Sequence, residues 1–309
     1  MAVPSSRRTA GVPRATRVGV IAVLVPICGF SVMNVIVKLA HLQALAFAFY
    51  RLWMGAAIMV IGLLATGRRL SAATLRRAAP AGVLFGANLA LFFSALKLTS
   101  ITDVLIVAAL QPALTLIVAG PLFGERVSTQ DWAWTGVSVA GVALVVVGSS
   151  GTPQWSLKGD LLAVGALFAW STYWVVSKRV RRDVAAFEYM SAVTVIAALV
   201  VTPIALLSGE SFHVRWQDWL WLVVFVAGAQ AGHTLLAWSH AQVEVSVSSL
   251  LVLAEPVIAP VAALIILGEP LPVLSIAGGL VAVAAVAMVI RRATRAVQHE
   301  VVPPEIAPA

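Results

Sequence analysis

The chain has 309 residues, of which 61% are hydrophobic and 11% charged, and it carries a formal net charge of +8; its mean hydropathy is +0.97. A soluble domain has about a quarter of its residues charged, so most of this length belongs in a lipid bilayer. The basic residues come in short clusters at the ends of apolar runs, which speaks against a nucleic-acid partner, and one cysteine, Cys28, leaves no intrachain disulfide or cysteine metal site.

Residues 1–17 read as a cytoplasmic tail carrying Arg7, Arg8, Arg14 and Arg17. The apolar run behind it is too long for the core of a cleaved signal, and no small-residue cleavage pattern follows it. Apolar windows then predict ten transmembrane helices, at 18–40, 44–66, 79–97, 100–122, 131–148, 159–178, 186–207, 216–238, 244–267 and 271–290. Residues 291–309 are polar and proline-rich and read as a disordered tail. The expected fold is an all-α integral membrane protein, with short loops and no soluble domain.

Basic residues orient the chain. With the N-terminus in the cytoplasm, that side receives Arg7, Arg8, Arg14, Arg17, Arg68, Arg69, Arg76, Arg77, Arg126, Lys178, Arg179, Arg181, Arg182, Arg291, Arg292 and Arg295. The other side receives only Lys97, Lys158 and Arg215. Both termini are expected in the cytoplasm. Trp132, Trp134, Trp155, Trp216, Trp219 and Trp221 fall near predicted helix ends, as interfacial anchors do.

The sequence repeats itself. Ser100–Glu125 aligns without a gap to Glu244–Glu269, placing Gln111 on Glu255, Pro112 on Pro256 and Gly124-Glu125 on Gly268-Glu269. Ile21–Lys38 aligns to Leu161–Lys178, with Ser31 on Ser171 and Lys38 on Lys178, and Phe47 falls on Phe187. Gly82 and Gly86 in the third span recur as Gly228 and Gly232 in the eighth, pairs that let backbones approach closely. The repeats cover 18–148 and 159–290. Each holds five spans, an odd number, so the second enters the membrane from the opposite face. Inverted repeats of this kind place a transport site near the midplane between the halves. Glu125 and Glu269 end their spans and read as structural.

Polar groups inside the spans mark where that site should be. Glu255 is the single charge in the apolar run Val245–Leu267. A carboxyl near the midplane costs several kcal/mol or more unless it has a partner or a task, and Pro256 beside it removes a backbone donor. Ser31, Asn34 and Lys38 share one face of the first span, matched by Ser171, Trp174 and Lys178 in the sixth, where Trp170 and Tyr173 lie alongside. Asn88 is near the middle of span three, and Gln230 and His233 are a turn apart in span eight. For Asn34, Asn88, Trp170, Tyr173 and Gln230, bonding between helices and substrate contact are equally open. His233 reads either as a proton shuttle or as a hydrogen-bonded packing residue. Arg51 lies early in span two, where its side chain could snorkel to the outer interface; Asp103 and Glu188 sit near helix ends, where water reaches them.

The ten spans, the duplicated stretch Ile27–Lys38 with Leu167–Lys178, and the spans that pair Gln111-Pro112 with Gly124-Glu125 and Glu255-Pro256 with Gly268-Glu269 carry a resemblance. Over about residues 18 to 290 the chain resembles the EamA branch of the drug/metabolite transporter superfamily. The resemblance implies a proton- or gradient-driven carrier of the bacterial inner membrane, often an exporter of amino acids or other small metabolites, without a cofactor. It also implies a cavity lined here by Asn34, Asn88, Gln111, Trp170, Tyr173, Gln230 and Glu255. Glu255 and His233 are the candidates for proton coupling. The expected partners are a small-molecule substrate and the bilayer, for a monomer or a homodimer.

Rival classes lack their motifs. No His-Glu-x-x-His or Gly-x-Ser-x-Gly run supports an intramembrane enzyme, no filter sequence supports a channel, and no Gly-x-x-x-x-Gly-Lys-Ser/Thr loop supports direct use of ATP. An uptake carrier of the same fold remains the alternative, since the gradient decides the direction.

Overall fold

The computed structural model describes residues 14–98, 104, 107–108, 110–111, 114, 128–149, 156–243, 248, 251–255, 258, 261–262, 265–266 and 273–300. Every regular element among them is helical. These are α1 (Arg14–Leu39), α2 (Ala44–Ala65), α3 (Ala72–Leu98), α4 (Thr129–Ser149), α5 (Leu157–Val180), α6 (Ala186–Leu207), α7 (Trp216–Ser239) and α8 (Val273–Glu300), with a 3-10 turn at Val252–Ala254. Helices satisfy their backbone groups internally, the condition for crossing hydrocarbon. Five of them, α2, α3, α5, α6 and α7, are long and apolar enough to cross a membrane. Large apolar side chains such as Ile61, Leu199, Leu220 and Leu280 face outward, and Cys28 is exposed too. Most of the fourth and ninth predicted spans, with Pro112, Gly124, Glu125, Pro256, Gly268 and Glu269, lies outside the described residues, as do Asp103 and Trp155.

The expected disordered tail is corrected in part, because α8 runs on to Glu300. Arg291–Glu300 holds three arginines and two alanines, and the first proline of the tail comes later, at Pro303. Such a segment continues a helix into water readily.

The packing is duplicated. α1 packs on α7, and α5, the counterpart of α1 in the second half, packs on α3, the counterpart of α7. α3 lies on α6 as α7 lies on α2, while α2 meets its own counterpart α6 and α4 meets α8. Exchanging the halves leaves these partners unchanged. The helix ends repeat too. Gly67 follows α2 and Gly209 follows α6, both with φ of 71°, and the preceding Thr66 and Ser208 hydroxyls each donate to a carbonyl three residues back. A left-handed residue just past a helix favours glycine, which ends both helices the same way.

Small residues set the closest approaches. A methyl on Gly82 would meet Ile196, and one on Gly86 would meet the Ala197 backbone, so α3 lies hard against α6. Gly228 and Gly232 instead receive Met33 and Phe30 of α1. Tyr189, Met190, Val193, Ala197 and Val201 of α6 are fully buried in the resulting core.

Candidate functional site

Arg51 starts the site. It lies seven residues into α2, about 10 Å along the axis, and is only 6% exposed. Its Nη2 donates to Nε2 of His233 on α7 at 2.7 Å. Its guanidinium also lies 5.7 Å from the Phe85 ring centre and 5.6 Å from that of Phe225. Arginine only donates, so Nε2 of His233 accepts and the neutral ring carries its proton on Nδ1. Among the described residues, Nη1 of Arg51 and Nδ1 of His233 are buried without a hydrogen-bond partner.

Aromatic rings enclose this pair. Phe30 of α1, Phe85 of α3 and Trp170 of α5 lie 4.6, 5.0 and 5.9 Å from the His233 ring. Tyr173 stacks on Trp170 at 5.2 Å and leans on Phe85 at 5.2 Å. In the frame that sets Ser31 on Ser171, Phe30 falls on Trp170. Mirror-related side chains of the two halves thus both pack against His233. Among the described residues the charge of Arg51 is held but not neutralised. A charge-assisted hydrogen bond is worth about 1.5–3 kcal/mol and a ring contact up to about 2. Neither supplies the negative charge that a buried guanidinium lacks, and no carboxylate pairs with Arg51 among the described residues.

Arg51 therefore does not snorkel outward as its place near the helix start suggests. Its head is bound at the centre by His233 and two rings. The sequence signal that singled out Glu255, a charge inside an apolar run, applies equally to Arg51.

The other expected site residues take several positions. Asn88 donates to the carbonyl of Ala166 at 2.9 Å, tying α3 to α5. Gln230 donates to the Thr194 hydroxyl at 2.8 Å, and its Oε1 faces Gly55 in the middle of α2. Gln230 also lines a largely apolar cleft of about 860 Å³ between α1, α2, α7 and the start of α6, with Ile58, Met59 and Thr234. Gln111 is buried, at 2% exposed. Asn34 and Lys38 lie on α1, with side chains outside the described residues. Glu255 is partly buried beside α1, where the Ser31 hydroxyl, shared with the Ile27 carbonyl at 2.9 Å, reaches its backbone carbonyl at 3.3 Å. In a regular helix the Val252 carbonyl would take the N–H of residue 256, but proline has none. The Glu255 N–H takes that carbonyl instead and tightens the turn into 3-10 form. A three-residue turn, Leu110 N–H to the Val107 carbonyl, also precedes Gln111-Pro112.

The two ends of the bundle differ. At one, Glu210 accepts the first backbone N–H groups of α2, from Leu45 at 2.8 Å and Ala46 at 3.1 Å. A carboxylate at a helix start caps its donors and complements its dipole. There Tyr50 donates to the Phe212 carbonyl at 2.8 Å, and Asp218 meets His41 and Arg215. At the other end Arg68 meets Glu188 at 3.4 Å, and Arg181 donates to the Ala237 carbonyl at 2.9 Å.

The sequence pattern of the EamA-like transporter family matches residues 17–147 and, a second time, residues 157–291. The chain belongs to the EamA-like transporter family. It is thus a multi-pass membrane protein with the two-repeat fold of a family of membrane transporters. A solved crystal structure shares that fold at a TM-score of 0.73 and 21% identity, over 92% of this chain and 99% of that one. No curated protein matches the sequence.

Proposed function

We propose that this EamA-like transporter is a secondary carrier of the bacterial inner membrane that exports small organic metabolites by alternating access, with both termini in the cytoplasm. Its two five-span repeats are inverted, with ten membrane-spanning helices in all. The observation that carries the reading is the Arg51–His233 contact inside rings drawn from both halves. Polar groups held between two repeats are where a rocking carrier keeps its site. The proposed lining is Asn34, Gln111, Trp170, Tyr173 and Glu255, with Asn88 and Gln230 as helix ties at its edge.

Glu255 is the proposed proton acceptor. Ser31 joins its backbone to α1, next to Phe30, which packs on His233. A carboxyl inside a membrane span is where carriers build their proton relays. The test is transport in proteoliposomes, with a panel of amino acids, nucleobases, sugars and cationic drugs, with and without a pH gradient. Glu255→Gln should abolish proton-driven accumulation and leave yield and folding unchanged. Transport by Glu255→Gln equal to the parent under every gradient would remove Glu255 from the mechanism.

A further inference from the structure

We propose that Arg51 and His233 form a carboxylate-recognition site, so that the cargo is a small molecule with one carboxylate on an apolar or aromatic body. The proposal rests on the carrier reading and deepens it by naming the substrate class.

The first argument is the hydrogen-bond inventory. Nη1 of Arg51 and Nδ1 of His233 are both donors, both buried, and both without an acceptor among the described residues. A carboxylate brings two acceptor oxygens and no donor. An amide would offer one acceptor and set its own N–H₂ against donors. An ammonium would bring only donors and a repelling charge.

The second argument is charge. One guanidinium stands here with a neutral imidazole, because Nε2 is held as an acceptor. A single positive charge matches a monoanion. A doubly charged phosphate would leave one negative charge beside Phe30, Phe85 and Trp170, with no second cation to meet it among the described residues. Those rings instead suit an apolar or aromatic body beyond the carboxylate.

The third argument separates recognition from bracing. Arg181 shows what a bracing arginine does in this protein, for it spends its Nε on the Ala237 carbonyl at a helix end. Asn88 likewise spends its amide on a backbone carbonyl. Among the described residues Arg51 reaches no backbone carbonyl and keeps Nη1 unspent. Arg51 of α2 touches α3 and α7, and His233 touches α1, α3 and α5, so a ligand bound to the pair touches both repeats. Movement of one repeat against the other would alter its affinity, as a carrier requires.

The test uses the full chain in lipid nanodiscs at neutral pH, with two acids and their amides as probes: 3-phenylpropionate and 4-methylpentanoate against 3-phenylpropionamide and 4-methylpentanamide. Calorimetry should show at least one acid binding about tenfold or more tighter than its amide. Arg51→Gln should bring that ratio close to one, and Arg51→Lys should keep part of it. The wild-type comparison needs no variant to fold. If neither acid outbinds its amide, or if Arg51→Gln keeps the preference, the site is overturned. Flux measured separately distinguishes the two readings. Gradient-driven flux of neutral or cationic compounds that ignores Arg51→Gln would sink the carboxylate site and leave the carrier intact. Acid-selective binding with no flux of any compound would sink the carrier and leave the site.

Discussion

His240 carries a pH signature of its own. It follows the last residue of α7, is 2% exposed, and meets the Ser177 hydroxyl through Nδ1 at 2.7 Å. Trp174 packs against its ring at 4.8 Å. Burial first, and then Lys178 and Arg181, hold its pKa at about 3, below the ordinary 6.5. As pH falls, the unfolded chain therefore takes up this proton before the folded one. The stability tied to the neutral ring is complete above about pH 6.5 and declines from there towards 3, by about 1.4 kcal/mol at pH 5.5. Thermal unfolding at pH 7.5 and 5.5 should show His240→Gln losing less stability on acidification than the parent. An equal loss in both would mean that His240 is not held neutral. Arg51 is the residue at which sequence reasoning fell short. Distance from the helix start allowed snorkelling, and only the fold brings His233, Phe85 and Phe225 within reach. Trp170 and Tyr173 were legible as a pair on one helix, but that Trp170 packs on His233 and Tyr173 on Phe85 depends on how the helices pack.

Helices α4 and α8 pack through small residues. A methyl on Gly141 would come within 2.7 Å of the Ala282 backbone nitrogen and 2.9 Å of the Gly278 carbonyl oxygen, and backbone cannot yield as a side chain can. Gly136, five residues earlier on α4, has nothing within 4 Å of the same methyl. Gly141→Ala should destabilise by about 1–3 kcal/mol through overpacking. Gly136→Ala should be neutral or gain up to about 1 kcal/mol, since alanine restricts the unfolded chain more. The two variants in one detergent, followed by thermal unfolding, check this, and similar shifts for both would refute the close approach. The repeated pairs Gly82 with Gly86 and Gly228 with Gly232 were visible in the sequence because spacing alone reveals them. Their partners were not. The first pair meets α6 and the second meets α1, a difference that no periodicity encodes. The tightened turn before Glu255 was foreseeable, because the missing proline N–H is a property of the residue itself.

Across the whole molecule, the duplicated packing and the basic residues make separate statements. The packing places Ser211 beside Gln43 at the start of α2, since the Ser211 N–H donates to the Gln43 side chain. Arg68 lies past the far end of the same helix. If α2 crosses the membrane, as its length and apolar character allow, these positions lie on opposite faces whichever way the chain is inserted. Charge then chooses the direction, because Arg68, Arg69, Arg76 and Arg77 belong to the basic side. The single cysteine makes the test simple. In a Cys28→Ser background, Ser211→Cys and Lys158→Cys should react with an impermeant thiol reagent added to intact cells. Arg68→Cys and Arg182→Cys should react only after the membrane is broken. All four positions are exposed, so a failure to label reports the barrier and not burial. Reversed labelling of all four would overturn the cytoplasmic termini but keep the span order. Labelling of Arg68→Cys and Ser211→Cys from the same side would contradict α2 as a membrane-crossing helix. Labelling of Lys158→Cys with Arg182→Cys would do the same for α5, and with it would go the odd span count that inverts the second repeat.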